Sequence, residues 1–344
     1  MALSALYDRC DDYVTSIFKA REDLYAAYGK EFVHFLASVY LGVKGFNYSL
    51  LSQLTLPVFQ SLGVSGNGFQ LASMVALTPW SSKGWIGVLS DCFPLGRYHK
   101  RGYLLLSSVA GVLGLLGLIA VTYFGATEAY QWWVAVLFML VHLQAATFDL
   151  LSEGKYAEMM RENGAGSEVI SLVWMCYNVG SLVSAAAIFI FLSSDGVLPL
   201  LAVAMLPALQ VTFLSWKGAL PEEPARATKY LRRKLFSQPR LFMLACWMVL
   251  GVFCINFAAA FGSSWTQVVV TIATTVVLSI ASFFALPPVL ALSNIYMMLQ
   301  KALCLDLTGP LSYFYTANVE CVPDGPGFSQ SYYLGISSMV GALA

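Results

Sequence analysis

From Leu241 to Gln300 the chain runs for sixty residues without one Asp, Glu, Lys, Arg or His. Lipid, not water, is the solvent such a stretch is built for. A helix rising about 1.5 Å per residue needs about 20 residues to cross the ~30 Å hydrocarbon core of a bilayer. The run therefore crosses more than once, with a turn at Gly262 to Thr266. Backbone polar groups find no water in the bilayer core, which demands helices, and the ten-residue alternation of an outer-membrane barrel is absent. The predicted fold class is an all-α, polytopic transmembrane helical protein, and the lipid bilayer is its first partner.

The rest of the chain reads the same way. Apolar residues make up 58% of it and charged residues 11%, against roughly 25% charged in a soluble domain. Apolar windows place spans near 32–57, 67–90, 102–125, 129–149, 169–193, 196–216, 241–261, 267–286, 288–316 and 330–344. Zero formal net charge and the lack of a basic tail leave no expectation of a nucleic-acid partner. The seven cysteines contain no CxxC pair, so neither a metal site nor a disulfide framework is expected. The histidines, His34, His99 and His142, are scattered. No nucleophile elbow, P-loop, HExxH or dinucleotide fingerprint occurs. An enzyme is not expected, nor is a cofactor.

Basic residues orient the spans. Arg97, Lys100 and Arg101 lie in one loop, Lys155 and Arg161 in the next even one, and Lys217, Arg226, Lys229, Arg232, Arg233, Lys234 and Arg240 in the longest. All fall on one side if the spans alternate, and an excess of Lys and Arg marks the cytoplasm. The N-terminus is expected there too. Residues 1–31 are interrupted by eight charges from Asp8 to Asp23 and hold no signal peptide. Leu3, Leu6, Cys10, Tyr13, Ile17 and Leu24 recur at mostly helical spacing, which fits an amphipathic helix on the inner leaflet or a mobile juxtamembrane arm. Asn47-Tyr48-Ser49 matches a glycosylation sequon but lies too deep in the first span for modification.

The expected division is a cytoplasmic arm over 1–31, a first six-helix half over 32–216 and a basic cytoplasmic linker over 217–240. A further central helix pair follows over 241–286, and 287–344 begins a second half. Shifting the sequence by 259 positions lays Gly66, Gly68 and Phe69 on Gly325, Gly327 and Phe328, a weak internal repeat of the kind parallel transporter halves carry.

The run PWSSKGWIGVLSDCFPLGRYHKRGY, Pro79 to Tyr103, joins the second and third spans. Its Gly87, Asp91, Gly96, Arg97, Lys100 and Arg101 resemble the pattern of the corresponding loop in the major facilitator fold. The same run, with DLLSEGKYAEMM from Asp149 and YFYTANVECVPDGPGFSQSYY from Tyr313, resembles the folate-biopterin transporter family in its protist branch. The resemblance implies a major facilitator-like fold and secondary transport of a pteridine such as folate or biopterin by alternating access, with a proton or other ion gradient as the default coupling and the plasma membrane as the expected location. A chain of this design is expected to carry a complete second half, whereas this one stops at Ala344. The rival expectation is a truncated paralogue that binds weakly or associates with another copy or a full-length relative, and any activity is expected to depend on that assembly.

Ionisable residues inside a membrane are costly and mark function by default. Lys44 lies 13 residues from Glu31, roughly 20 Å in from the cytoplasmic end. Its ammonium suits the glutamate tail of folate, or a protein carboxylate that titrates during transport. Asn47 and Gln53 supply neutral hydrogen bonds for a pterin edge or glue between helices. Lys83 stands eight residues before Asp91, beside Pro79, Trp80 and Trp85, which form either a stacking wall for a flat ring or an interface anchor. Asp306, opposite Asn47 under the 259-residue shift, is the expected countercharge or proton carrier for Lys44 or Lys83. Asp149 and Glu153, four residues apart at the cytoplasmic end of the fourth span, share a helix face. By the family resemblance they join Asp91, Arg97, Lys100 and Arg101 in a latch that sets the inward/outward balance.

Overall fold

The computed structural model describes residues 19–163, 166–194, 196–222, 224, 239–304, 308–317 and 320–343. Their regular structure is helical throughout, with a lone bridge between Leu95 and Tyr98 in place of any strand. The first span is one rod in three parts: α1 (Lys30–Ala37), a π-helical stretch (Ser38–Tyr48) and α2 (Ser49–Ser61). The second is broken twice, into α3 (Gly66–Ala76), α4 (Thr78–Ser81) and α5 (Lys83–Cys92). Pro79 causes the first break, because it lacks an N–H and its ring clashes with the preceding turn. Then come α6 (Arg101–Phe124), α7 (Gln131–Asn163), α8 (Ser167–Ser194) and α9 (Val197–Lys217). The chain continues through α10 (Pro239–Phe261), α11 (Ser264–Ala285), α12 (Pro288–Leu303), α13 (Thr308–Tyr315) and α14 (Gln330–Leu343).

Six described helices, α6 to α11, are long and apolar enough to cross a bilayer. The protein is an all-α, multi-pass membrane protein. Caps mark the ends: the Ser65 and Ser263 hydroxyls accept from Gly68 N and Thr266 N, each at 3.3 Å, satisfying first-turn N–H groups. Gly125 and Gly218 close α6 and α9 in the left-handed conformation, which glycine adopts without strain.

Apolar burial offers little driving force between helices in lipid, so close backbone approach and interhelical hydrogen bonds hold such bundles. The tightest crossing joins the first span to α8. A Cβ on Gly45 would stand 2.8 Å from Tyr177 O and 3.0 Å from Gly180 Cα. Likewise Gly114 of α6 leaves room for Leu137 O at 2.7 Å. Two buried clusters fill the six-span bundle, one around Phe59, Phe138, Leu115 and Leu118, the other around Phe35, Tyr40, Phe148 and Leu104. By contrast α10 and α11 leave Phe253, Phe257, Ile272 and Phe284 exposed.

Two spans differ from the apolar windows. α7 does not stop at Asp149 but runs fourteen residues further to Asn163, because Glu153, Glu158 and Arg161 keep a helical face beyond the apolar stretch. The window at 288–316 holds two helices, α12 and α13. Asp306, most of the basic linker and the N-terminal arm up to residue 18 lie outside the described residues, while 19–28 are helical.

Candidate binding site

Asp149 is the centre of the charged interior. It lies mid-way along α7, fourteen residues or about 21 Å from that helix's end, and its side chain is 2% exposed. Lys44 Nζ, from the π-helical stretch, donates to Asp149 Oδ1 at 2.7 Å. Lys83 Nζ, from the first turn of α5, donates to Oδ2. Three spans thus converge on one carboxylate. Both lysine side chains are about a quarter exposed, 25% and 24%, whereas the carboxylate between them is closed off.

The formal charge of the trio is two ammoniums against one carboxylate, one net positive charge. Glu153, one turn further along α7, is exposed, and no ion pair joins it to either lysine among the described residues. Aromatic faces supply the rest of the lysines' surroundings: Lys83 stands 4.4 Å from the Trp80 ring centre, and Lys44 lies 5.4 and 5.9 Å from those of Tyr40 and Tyr177. Such faces attract a cation through the ring quadrupole. Trp80 Nε1 donates to His142 Nδ1 at 3.3 Å; since the indole N–H is a donor only, this nitrogen of His142 accepts and carries no proton. The Tyr48 ring lies 4.7 Å from Trp80 and 5.8 Å from His142, completing an aromatic layer beside the charges.

A cavity opens on the far side of that layer. One lobe of about 550 Å³ is lined by Tyr48, Gln53, Gln70 and His142; a second of about 370 Å³ adds Ser49, Asn178, Ser181 and Tyr333. Tyr48, Ser52, Gln53, Ser312 and Leu334 line both lobes, so the lobes adjoin between the first spans and the α13–α14 segment. Its size falls within the roughly 300–1,000 Å³ of small-molecule sites. Its lining is amide, hydroxyl and aromatic, with no charged side chain.

The expected site residues separate into three places. Lys44, Lys83 and Trp80 gather at Asp149, and Gln53 lines both lobes of the cavity. Asn47 faces elsewhere: its amide donates to Ala204 O of α9 at 2.9 Å, tying the first span to the sixth. Asp306 lies outside the described residues. Asp149 stands with the lysines instead of with Arg97, Lys100 and Arg101, and among the described residues no ion pair joins Asp91 to that basic cluster.

The basic loop has a different partner, Glu222. Its two carboxylate oxygens accept from Lys100 N at 2.8 Å and Arg101 N at 2.9 Å, and the Arg101 guanidinium donates to Trp216 O at the end of α9. A carboxylate at the first N–H groups of α6 complements the helix dipole. Glu222 belongs to the Pro-Glu-Glu-Pro segment, whose prolines mark it as a helix breaker and hide its capping carboxylate. His142, Ser312 and Asn178 are site neighbours in largely apolar helices with no motif to announce them, and Tyr48 is announced only by a sequon that points to a different chemistry.

The BT1 family matches residues 44–344. Probable folate-biopterin transporter 4 of Arabidopsis thaliana is 24% identical over 163 residues, 47% of this chain and 32% of that protein. The folate-biopterin transporter of Synechocystis sp. is 26% identical over 195 residues, 55% of this chain and 38% of that protein. The matched regions span about a third of these relatives. No solved structure matches the chain.

Proposed function

This chain belongs to the BT1 family, and from that membership we propose that it carries a folate or pterin across a membrane by alternating access. The observation that carries this reading is the Lys44–Asp149–Lys83 trio, separated by the Tyr48 and His142 rings from a neutral cavity of ligand size that those two residues line. Two ammoniums share one buried carboxylate, so one charge inside the bundle is left unbalanced, an expense that function explains better than folding does. The trio's one surplus positive charge suits a carboxylate such as the glutamate tail of folate. Gln53, Gln70 and Asn178 suit the hydrogen-bonding edge of a pterin, and Tyr48 offers it an aromatic face.

In this proposal a substrate carboxylate takes one ammonium from Asp149, and the freed carboxylate becomes the carrier of a coupling proton. Asp91, Arg97, Lys100, Arg101 and Glu153 are proposed as gating charges at the cytoplasmic end, now with Glu222. In the same reading the N-terminus is cytoplasmic, from the excess of Lys and Arg in the loops on that side, and the plasma membrane is the proposed location. The chain performs no catalysis in this reading. The exposed faces of α10 and α11 suit lipid or association with another membrane chain.

Uptake into vesicles tests the proposal. The chain reconstituted in liposomes should take up labelled folate or biopterin saturably, and Asp149→Ala should abolish this at equal incorporation. Parent vesicles that accumulate neither ligand above protein-free vesicles would contradict it.

A further inference from the structure

The second span is interrupted just where Trp80 and Lys83 must be held, and a neighbouring helix bridges the interruption. Leu77 and Ser82 have left helical geometry on either side of the four-residue α4. Pro79 contributes no N–H, and the backbone bonds that remain, such as Trp80 N to Leu77 O at 3.1 Å and Ser82 N to Thr78 O at 3.0 Å, close only short local turns. The unbroken 23-residue α10 lies along all three pieces, touching α3, α4 and α5. Phe242 near its start packs on Trp85 of α5, ring centres 5.8 Å apart. Further along, Asn256 Nδ2 donates to Thr78 Oγ1 at 2.6 Å. The same hydroxyl reaches back to Met74 O of α3 at 3.4 Å.

Asn256 stands out by chemistry. Between Leu241 and Phe261 it is the only side chain with an amide, hydroxyl or charge. A carboxamide in lipid is costly without a partner, and the partner it finds is the first residue of α4. Two residues on, Trp80 places its ring 4.4 Å from Lys83 Nζ and its N–H on His142.

We propose that α10 is a splint for the broken second span, and that Asn256, through Thr78, is a positioning residue for Trp80 and Lys83. Without that hydrogen bond the Thr78–Ser82 segment gains freedom, and the ammonium of Lys83 loses its fixed place between Asp149 and the indole. The inference rests on the transport reading for its functional meaning, but its geometry is tested separately.

The test is thiol labelling of the full chain in liposomes, with Ser82→Cys as the reporter at the break and Ser171→Cys on α8 as a distant control. Each rate is corrected for the chain lacking the introduced thiol. Asn256→Ala should raise labelling at the Ser82 reporter about two- to tenfold, the range one lost hydrogen bond carries, and leave the Ser171 reporter unchanged. Thr78→Val should do the same, Thr78→Ser should not, and the two disruptive changes together should do no more than either alone. If Asn256→Ala fails to insert, Thr78→Val against Thr78→Ser makes the same measurement. Unchanged labelling at the break, full additivity, or an equal rise at both reporters would overturn the splint. A parent chain that takes up no pteridine would remove the transport reading while the labelling still decides this one.

Discussion

Lys44 and Asp149, 105 residues apart in the chain, meet at 2.7 Å inside the helix bundle. With Lys83 on the other carboxylate oxygen, this makes Asp149 the only ion-pair partner of the two ammoniums among the described residues. The arithmetic of that arrangement is asymmetric. Removing either lysine leaves one positive and one negative charge; removing Asp149 leaves two positive charges facing each other.

Stability should follow that asymmetry. Asp149→Asn is expected to destabilise the protein by about 3 kcal/mol or more, the scale of breaking a buried pair. Lys44→Met and Lys83→Met should each cost clearly less, because a neutral pair remains and both lysines are partly exposed. Unfolding midpoints of the four proteins in detergent give the ranking. Equal losses for all three variants would mean that the trio does not act as one electrostatic unit.

The glycine crossing makes a steric prediction. Gly45→Ala would push a Cβ to 2.6 Å from Tyr40 O and 2.8 Å from Tyr177 O, so the first span and α8 must separate. A loss of about 1–3 kcal/mol is expected, as for other overpacked sites. Gly84→Ala, with nothing within 4 Å of the new methyl, should be neutral or slightly stabilising. Thermal unfolding of the two variants side by side checks the contrast.

How much of this was legible in the sequence depends on the physical signal. Spans are read from apolar windows, which is why α6 and α8 to α11 lie close to their expected limits. The window for α7 ended at Asp149 because a hydropathy scan stops at the first charge, although the helix needs no apolar face beyond the bilayer. That early stop put Asp149 at a helix end, beside the basic loop, when it is mid-helix beside Lys44 and Lys83. The π-helical stretch around Lys44 carries no composition of its own; such segments often mark functional sites, and only Gly42 and Gly45 hint at close packing there. Pairings across 66 and 105 residues are set by tertiary geometry and have no local trace.

The linker contact predicts a protease phenotype. Glu222→Gln removes the charge that caps α6, a change on the order of 0.5–2 kcal/mol for that helix end. The loop holding Arg97, Lys100 and Arg101 should then open more often, and limited trypsin should cut there faster, with little change in overall stability. Unaltered cleavage would show that the backbone contacts to Glu222 are not what holds the loop.

The central claim is that the surplus positive charge of the Lys44–Asp149–Lys83 trio receives a substrate carboxylate. Equilibrium binding to the purified chain, comparing folate, which carries a glutamate tail, with biopterin, which carries no carboxylate, tests it most directly. Lys83→Gln should weaken folate by about tenfold to a hundredfold, the worth of a hydrogen bond to a charged group, and change biopterin little. Equal weakening of both ligands, or none, would contradict the account.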